Sequence, residues 1–239
     1  MVDASLYTSL RSWAHDANPF MRALRPGRDD LVFCGGAITP PWLVAAYTNG
    51  CFPWTGEPPI PWYNPDPRLL LLPQRFKASH SLRKLAGQNR FTIRFDTDFK
   101  EVMRACAGPR ASGEKTWITA SMIDAYGGLF DHHIAHCVSV YREQTLVGGL
   151  YGLNFGRAFF GESMFSLEAN TSKLALFTLS RFLARQNFDF VDCQQVTAHL
   201  ISLGGQPIAR GHYMPLLAKT LEKQSLHEPW IWDGKWELN

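Results

Sequence analysis

A carboxylate interrupts an apolar segment in the C-terminal half of the sequence, and two further polar residues follow a predicted strand. Glu162 lies within the run Phe159–Phe165, whereas Asp192 and Gln194 close the predicted strand 188–191. Asp192 and Gln194 are two positions apart, so in an extended chain their side chains project from the same face. A buried carboxylate is costly unless a cation or hydrogen-bond donors neutralise it. Each group therefore either pairs within the protein or binds a substrate, and the residue types alone favour neither.

The signatures of the common enzyme classes are absent from the sequence. It contains no G-x-S-x-G nucleophile elbow, no P-loop, no H-E-x-x-H zinc motif and no dinucleotide-binding turn between a strand and a helix. The common hydrolases, kinases and dehydrogenases are therefore not the first hypotheses. Three histidines, His132, His133 and His136, lack Cys, Asp or Glu neighbours at ligand spacing, which favours a solvated helix end over a metal site.

The cysteine pattern indicates a reducing environment. The five cysteines are odd in number and include no C-x-x-C pair, so we expect neither a disulfide framework nor zinc. Cys193 adjoins Asp192, whose charge would raise the thiol pKa, and we do not expect a nucleophile there. The N-terminus shows no secretory signal, and prolines and glycines break the uncharged stretch 31–56. We therefore expect a cytoplasmic protein that does not span a membrane.

Composition and charge point to a folded protein with one basic segment. The 239 residues are 46% hydrophobic and 19% charged, which excludes disordered and fibrous classes. The net charge is only +3, but residues 75–94 hold six Lys or Arg and no acid, which leaves −3 on the rest of the chain. This segment is either a polyanion-binding surface or a solvated helix face.

The first part of the chain combines one predicted helix with a proline-rich segment. Thr39 followed by Pro40 and Pro41 is typical of a helix start, and Gly50 is typical of a stop. Residues 52–67 contain too many prolines for a helix or a central strand, which predicts an ordered loop. Three tryptophans lie in or before this loop and either hold a small lobe together or face a ligand: Trp42, Trp54 and Trp62.

After Arg68 the pattern alternates between strands and helices. We predict strands at 91–95, 135–142, 145–155, 157–160 and 188–193, the middle three forming an antiparallel meander. We predict helices at 97–107, 119–131, 170–186, 196–203 and 212–223. This order is that of an α+β fold rather than a repeated βαβ winding.

Nine sequence blocks, in order, resemble the leucyl/phenylalanyl-tRNA protein transferase family. They are G-G-x-x-T-P (35–40), A-Y-x-x-G-x-F-P-W (46–54), P-I-x-W-Y-N-P-D-P-R (59–68), T-W-I-T (116–119), L-V-G-G-L-Y-G (146–152), G-E-S-M-F-S (161–166), N-x-S-K (170–173), D-C-Q (192–194) and S-L-G (202–204). The resemblance covers about residues 31–213, and none of the blocks is merely a hydrophobic pattern.

The resemblance implies both a fold and a reaction. The expected fold is a small N-terminal domain, residues 1–68, packed on a C-terminal domain, residues 69–239, similar to the GCN5-related N-acyltransferases. The expected reaction moves Leu or Phe, and less readily Met, from aminoacyl-tRNA to the α-amine of proteins that begin with Arg or Lys, which marks them for N-degron degradation. The ester supplies the driving force, so we expect no cofactor or metal, and we expect a monomer.

The resemblance also assigns residues to the two substrates. Trp54, Trp117 and Phe159 are expected to form an apolar wall for the donor side chain, and the apolar character of the predicted sheet and helix adds Leu150 and Phe177. Glu162 and Asp192 are expected to form an anionic site for the acceptor's cation.

Two further roles concern the α-amine and the tRNA. We expect Gln194 to orient the α-amine, with Asp192 holding Gln194 or carrying the proton through water. Within the basic segment, Lys77, Arg83 and Lys84 are the candidates for phosphate contacts.

Two other functions fit parts of this pattern. An acyl-CoA-dependent N-acyltransferase would share the fold, but it needs a glycine-rich pyrophosphate cradle before the main helix, and residues 166–173 contain no glycine. A non-catalytic tRNA-binding protein would explain the basic residues but not Glu162, Asp192 and Gln194.

Overall fold

The N-terminal region forms a small sheet beside one helix. The computed structural model describes Phe20, residues 30–108 and residues 116–234. Strands β1 (Leu31–Cys34), β2 (Phe52–Pro53) and β3 (Pro61–Tyr63) form an antiparallel sheet in the order β1-β3-β2. The proline-rich segment thus contains two short strands, where the sequence predicted only a loop.

Helix α1 (Pro40–Thr48) begins at the predicted position. Proline in the first turn loses no hydrogen bond, because the first N–H groups of a helix have no partner within it. Thr39 occupies the N-cap position, although its side chain makes no capping hydrogen bond.

The three tryptophans divide between packing and exposure. Phe20, Trp42 and Trp62 contact one another, with ring centroids 5.2–6.1 Å apart, and Trp62 Nε1 donates a hydrogen bond to the Gly35 carbonyl at 2.9 Å. Trp54 is 45% exposed. The small lobe is therefore held by Trp42 and Trp62, while Trp54 is left facing solvent.

The rest of the described chain is built on a seven-stranded sheet in the order β10-β4-β9-β8-β7-β6-β5. Neighbouring strands are antiparallel except β8 and β9, which are parallel. The strands are β4 (Arg68–Leu71), β5 (Thr92–Phe95), β6 (Ala135–Arg142), β7 (Thr145–Phe155), β8 (Ala158–Ser166), β9 (Phe190–Asp192) and β10 (Gln206–Ile208).

The helices described after α1 are α2 (His80–Gly87), α3 (Phe99–Cys106), α4 (Ala120–Asp131), α5 (Thr171–Arg185), α6 (Ala198–Ser202) and α7 (Arg210–Leu221), with a 3₁₀ turn at Pro73–Arg75. Of these helices, all except α2 were predicted. The α+β class is confirmed, with a small N-terminal region and a C-terminal sheet region. The third meander strand, however, continues to Ser166 rather than ending at Phe160.

Alternate residues of the central strands pack into two different cores. Tyr151, Leu153 and Phe155 of β7 join a cluster with α1, α3 and α4, whereas Leu150 joins a cluster with α5. This is the two-residue period of a sheet covered on both faces. The first cluster also contains Trp62 of the small sheet, so the two sheets share one apolar core.

The parallel pair β8–β9 separates partway along its length. Paired positions run from Ala158 opposite Phe190 to Phe160 opposite Asp192, and β9 ends there while β8 continues for six residues. The last part of β8, which carries Glu162, therefore has no β9 residue beside it. This separation opens a cleft in the sheet.

One sequence expectation about the histidines is wrong. His132 and His133 follow α4 and are half-buried, but His136 lies in β6 and is only 1% exposed. Its Nδ1 is 2.9 Å from Asp96 Oδ2, and its ring stacks on Trp230 at 3.7 Å. Because β6 begins at Ala135, His136 belongs to the sheet rather than to the helix end. Trp230 of the C-terminal segment covers its ring and shields it from solvent.

Replacing Trp230 tests how strongly this C-terminal segment is attached. Trp230 is buried against His136, Phe159 and Phe182, and Trp230→Ala should lower the free energy of unfolding by about 3–5 kcal/mol. Urea denaturation measures this change. The control Trp54→Ala removes a half-exposed ring and should cost less than half as much; equal losses would contradict the packing described.

Candidate active site

An apolar pocket lies where β8 separates from β9. It has a volume of about 120 Å³, close to the roughly 150 Å³ of an apolar cavity that holds a benzene ring. Side chains of β7, β8, α5 and α6 form most of its wall: Leu150, Tyr151, Phe159, Met164, Leu176, Leu179, Val191 and Leu200. Glu162 and Gln194 form its polar edge. The pocket can hold one medium-sized apolar side chain, with polar groups at its mouth.

A wider cleft continues from this pocket towards the small N-terminal sheet. Both spaces are bordered by Glu162, Ser163, Met164, Cys193, Gln194 and Leu200. Phe52, Trp54 and Trp117 form one side of the wider cleft, and Thr197 and His199 of the α6 region form another. Two substrates can therefore meet at Glu162 and Gln194, one in the pocket and the other in the cleft.

Glu162 is held by neutral donors. Its Oε1 accepts hydrogen bonds from Tyr47 Oη at 2.6 Å and from Gln194 Nε2 at 2.8 Å, and its Oε2 accepts one from Tyr126 Oη at 3.1 Å. Tyr47 comes from α1 and Tyr126 from α4. Within the described part of the chain, no Lys, Arg or His pairs with this half-buried carboxylate.

The surroundings of Glu162 change its acidity. Burial raises its pKa to about 7, and the nearby charge of Asp192 acts in the same direction. The hydrogen bonds from Tyr47, Tyr126 and Gln194 oppose this effect without cancelling it. Glu162 therefore changes its charge near neutral pH, whereas an ordinary glutamate does so at about 4.3.

Asp192 occupies a different environment from the one expected. It is fully buried, and its Oδ1 accepts a hydrogen bond from Arg68 Nε at 2.8 Å while Oδ2 accepts one from Tyr213 Oη at 2.6 Å. The carboxylate thus already has a cationic partner inside the protein. The expectation that Asp192 and Glu162 together present an anionic surface to the cleft does not fit this geometry.

Arg68 is itself fixed from several sides. Its Nη1 donates to the Gly50 carbonyl at 3.0 Å, and its guanidinium carbon lies 5.0 Å and 4.9 Å from the rings of Phe52 and Tyr213. The ion pair with Asp192 therefore joins β4, β9, α7 and the turn after α1.

Gln194 combines a rigid main chain with an oriented side chain. Its φ of +62° is in the left-handed region, which costs a non-glycine residue roughly 1–2 kcal/mol. Its N–H donates to Asp192 Oδ1 at 2.9 Å, and its carbonyl accepts from Leu69 N–H at 3.3 Å. Since Nε2 donates to Glu162, Oε1 is left as an acceptor that no other described residue uses. The amide can hold an incoming N–H group.

The predicted donor-pocket residues are only partly brought together. Leu150 and Phe159 line the apolar pocket, and Trp54 and Trp117 line the wider cleft beside it. Phe177 lines neither space, because its ring packs on Phe76 at 5.5 Å. Leu176 and Leu179, three positions apart on α5, face the pocket instead.

The sequence reasoning missed several supporting residues. Tyr47 and Arg68 belong to the recognised blocks but carried no role, while Tyr126 lies outside them. Sequence blocks give no distances between residues, so the contacts of these residues with Glu162 and Asp192 could be found only from the fold.

The three basic candidates lie on another part of the surface. Lys77, Arg83 and Lys84 are exposed, and the last two border a shallow depression at α2 together with His80. Lys77 N–H donates to the Leu203 carbonyl at 2.8 Å, which places this segment beside the loop that follows α6. α6 in turn borders the wider cleft, so the basic surface and the cleft are joined through α6.

Other chemistry finds little support near the cleft. Burial, and next the charge of Asp192, raise the pKa of the Cys193 thiol, which makes it a poor nucleophile. Across residues 30–108 and 116–234, no three His, Cys, Asp or Glu side chains are grouped so as to hold a metal ion. In the same ranges, no helix has the length and apolar character to span a bilayer.

Comparisons with known proteins identify the class and the family. The family model of the leucyl/phenylalanyl-tRNA protein transferase matches residues 70–218, and the model of its N-terminal domain matches residues 36–66. Proteins named leucyl/phenylalanyl-tRNA–protein transferase are similar over most of this chain. That of Desulforapulum autotrophicum is 45% identical over 86% of this chain and 91% of its own length, and that of Aromatoleum aromaticum is 49% identical over 80% and 81%.

Solved structures with partial similarity have low scores. An aminoglycoside acetyltransferase from an uncultured soil metagenomic sample gives a TM-score of 0.37 at 13% identity, over 61% of this chain and 99% of its own. L-PGS from Bacillus licheniformis gives 0.40 at 9% identity, over 66% of each chain.

The family matches define an aminoacyltransferase that uses charged tRNA as its donor. More narrowly, the chain belongs to the leucyl/phenylalanyl-tRNA protein transferase family, whose members move Leu or Phe from tRNA to protein N-termini. This assignment replaces both alternatives that the sequence left open, the acyl-CoA-dependent enzyme and the non-catalytic tRNA-binding protein.

The raised pKa of Glu162 predicts a pH-dependent stability difference. The unfolded chain loses this proton at about pH 4.3, before the folded protein does, so the Glu162 contribution to folding is largest at low pH and is lost as pH rises to about 7. Glu162→Gln does not titrate. Its thermal midpoint should therefore rise relative to that of the wild type between pH 5 and pH 8.

The matched control for this comparison is Glu222→Gln, an exposed glutamate at the end of α7. Its midpoint should run parallel to the wild type over the same range. A constant offset between wild type and Glu162→Gln would show that Glu162 ionises normally in the folded protein.

Proposed function

We propose that the cleft joins Leu or Phe, and less readily Met, from aminoacyl-tRNA to the α-amine of proteins whose first residue is Arg or Lys. The observation that carries this proposal is Glu162, a half-buried carboxylate without a cationic partner among the described residues, set at the mouth of an apolar pocket. The reaction uses no ATP, coenzyme A or metal, since an activated ester drives it.

The apolar pocket suits the donor side chain. Its wall gains about 25 cal/mol for each Å² of apolar surface removed from water, and such a pocket distinguishes one methylene by only roughly 1–3 kcal/mol. Leu, Phe and Met all carry an unbranched Cβ and an apolar end. The pocket therefore accepts the three together and excludes an anionic side chain such as that of Asp, for which its lining offers no cationic partner.

Glu162 suits the acceptor side chain. It borders the wider cleft, and an Arg or Lys there would form a charge-assisted hydrogen bond, roughly twice as strong as a neutral one. Asp192 has another role in this proposal. Because Arg68 already neutralises it, Asp192 holds the Gln194 main chain rather than binding the acceptor.

Gln194 aligns the two reacting groups. An amide has no useful basicity at neutral pH, so Gln194 Oε1 accepts an N–H of the α-amine and directs its lone pair at the ester carbonyl. A C–N bond forms, the C–O bond to the tRNA ribose breaks, and the amine proton reaches the ribose oxygen through water. Alignment supplies most of the acceleration, because such esters already react with amines.

The basic segment and the cleft together accommodate a charged tRNA. Lys77, Arg83 and Lys84 would contact phosphates of the tRNA, while the end of the tRNA that carries the amino acid reaches the cleft past α6. A donor of this kind is a cytoplasmic substrate, so we place the reaction in the cytoplasm, where the new N-terminal Leu or Phe marks the protein for degradation. The proposed active form is the monomer.

A transfer assay tests the proposal. With Leu-tRNA or Phe-tRNA, the chain should join labelled amino acid to a peptide beginning with Arg but not to one beginning with Ala. Gln194→Ala should lower kcat by roughly 100-fold through lost alignment, with a smaller change in acceptor KM. Glu162→Ala should instead reduce the preference for Arg over Ala.

Three results would refute parts of this scheme. Equal transfer of Asp from its tRNA would show that the apolar pocket does not hold the donor. Unchanged turnover in Gln194→Ala would remove its aligning role. Full discrimination against the Ala peptide in Glu162→Ala would make Glu162 a purely internal partner.

The tRNA surface is tested by charge reversal and salt. Each lost phosphate contact should reduce the slope of log affinity against log salt by about 0.7–0.9, so Arg83→Glu with Lys84→Glu should raise the tRNA KM and flatten its salt dependence. Lys219→Glu, an exposed reversal on α7, is the control and should change neither. An unchanged KM in the double variant would leave α2 as a solvated basic helix face.

A further inference from the structure

Two tyrosine hydroxyls and the Glu162 carboxyl group make three oxygen–oxygen contacts, each at hydrogen-bond distance. Tyr47 Oη lies 2.6 Å from Glu162 Oε1, Tyr126 Oη lies 3.1 Å from Oε2, and the two tyrosine oxygens are 2.7 Å apart. Each tyrosine hydroxyl supplies one proton. Two protons cannot fill three separate oxygen–oxygen contacts, so a carboxylate would leave one pair of oxygens in close contact without a hydrogen.

A third proton on Oε2 completes the arrangement. The acid would then donate from Oε2 to Tyr126 Oη, which reverses the hydrogen bond that a carboxylate accepts there. Tyr126 would donate to Tyr47 Oη, and Tyr47 would donate to Oε1. Each of the three oxygen–oxygen contacts then contains one proton. Oε1, which has the shorter contacts and also accepts from Gln194 Nε2 at 2.8 Å, is the carbonyl-like oxygen of the acid.

We propose that the substrate-free enzyme holds Glu162 as a neutral acid in a closed ring with Tyr126 and Tyr47, and that a cationic acceptor side chain displaces this proton. The proposal rests on Glu162 as the acceptor site of the proposed function. Binding converts the acid and a free cation into a carboxylate–cation pair, with one proton passing to the solvent. Tyr47 and Tyr126 are positioning residues, because they hold the carboxyl group and not the substrate.

The surroundings of the ring favour the neutral acid. The charged and titratable groups that face Glu162 come from five elements and the loop after β9: Tyr47 (α1), Tyr126 (α4), Tyr151 (β7), Asp192 (β9), Cys193 and, across the cleft, His199 (α6). Asp192 disfavours a second negative charge nearby, although Arg68 pairs with it. Burial of Glu162 acts in the same direction and raises its pKa to about 7.

This arrangement adds to acceptor selection. A neutral N-terminal side chain does not stabilise the Glu162 carboxylate, so Glu162 keeps its proton and the ring stays closed. A guanidinium or ammonium group stabilises the carboxylate that replaces the ring. Glu162 therefore need not be ionised before the acceptor binds, and an unpaired carboxylate would be costly in this half-buried position.

Proton release on binding tests the proposal without the complication of the α-amine. The probe is a peptide whose N-terminal residue is deaminoarginine, which keeps the guanidinium but has no amine to titrate or react. Calorimetry with the full chain, in buffers of different ionisation enthalpy, counts the protons. We expect roughly one proton released per peptide at pH 6 and almost none at pH 8.5, with affinity about tenfold higher at pH 8.5.

Two variants and a spectrum make the outcome specific. Glu162→Gln, whose amide can occupy the same ring, should lose binding and release no proton, and His199→Asn should leave proton release unchanged. Infrared difference spectra, wild type minus Glu162→Gln at pH 6, should show the carbonyl band of a protonated carboxyl group that disappears when the peptide binds.

The possible failures separate the two proposals. If the peptide binds Glu162→Gln as well as the wild type, Glu162 is not the acceptor site and the proposed function fails there. If only the wild type binds, but with no proton release at pH 6 and no carboxyl band, the resting group is a carboxylate with a shared tyrosine proton. In that case the ring is overturned and the acceptor site stands.

Discussion

The buried ion pair between Arg68 and Asp192 is the contact on which the active-site geometry depends. It joins the first strand of the large sheet to the strand that ends at the cleft, and Arg68 also bonds the turn after α1. Removing either partner would leave an uncompensated buried charge, which typically costs 3–5 kcal/mol. Gln194 keeps its left-handed backbone because Asp192 accepts its N–H. Arg68, which does not line the cleft, thus sets the position of Gln194 through Asp192.

Much of the fold could be predicted because its signals are local. Strands β6 and β7 have the predicted limits. Helix α4 differs from its prediction by one residue at its start and α5 by one residue at each end, since apolar periodicity and turn residues are read along the chain. The third meander strand was predicted too short, because a glycine followed by a charged residue, here Gly161 and Glu162, is typical of the end of a strand. In the structure that glutamate stays within the strand, since tyrosines from two distant helices supply its hydrogen bonds.

The candidate site was predictable in composition but not in arrangement. The blocks identified Glu162, Asp192 and Gln194, and the structure places all three together. The like charges of Glu162 and Asp192 suggested one shared task, yet Asp192 pairs with Arg68 and Glu162 borders the cleft. This difference depends on long-range contacts, 124 residues apart in the case of Arg68 and Asp192, that no local pattern encodes. Phe177 illustrates the same limit, because one helical step separates it from the residues that line the pocket.

The apolar core shared by the two sheets has a consequence for how this chain can be divided. Tyr47 packs its ring between Phe155 and Phe160 of the large sheet while its hydroxyl reaches Glu162. A fragment that began after residue 68 would expose these phenylalanines. It would also lose the Tyr47 hydroxyl that donates to Glu162 and the guanidinium of Arg68 that pairs with Asp192. The small N-terminal region is therefore as much a wall of the reaction chamber as the sheet itself, and the two should be inherited, exchanged or engineered as one piece.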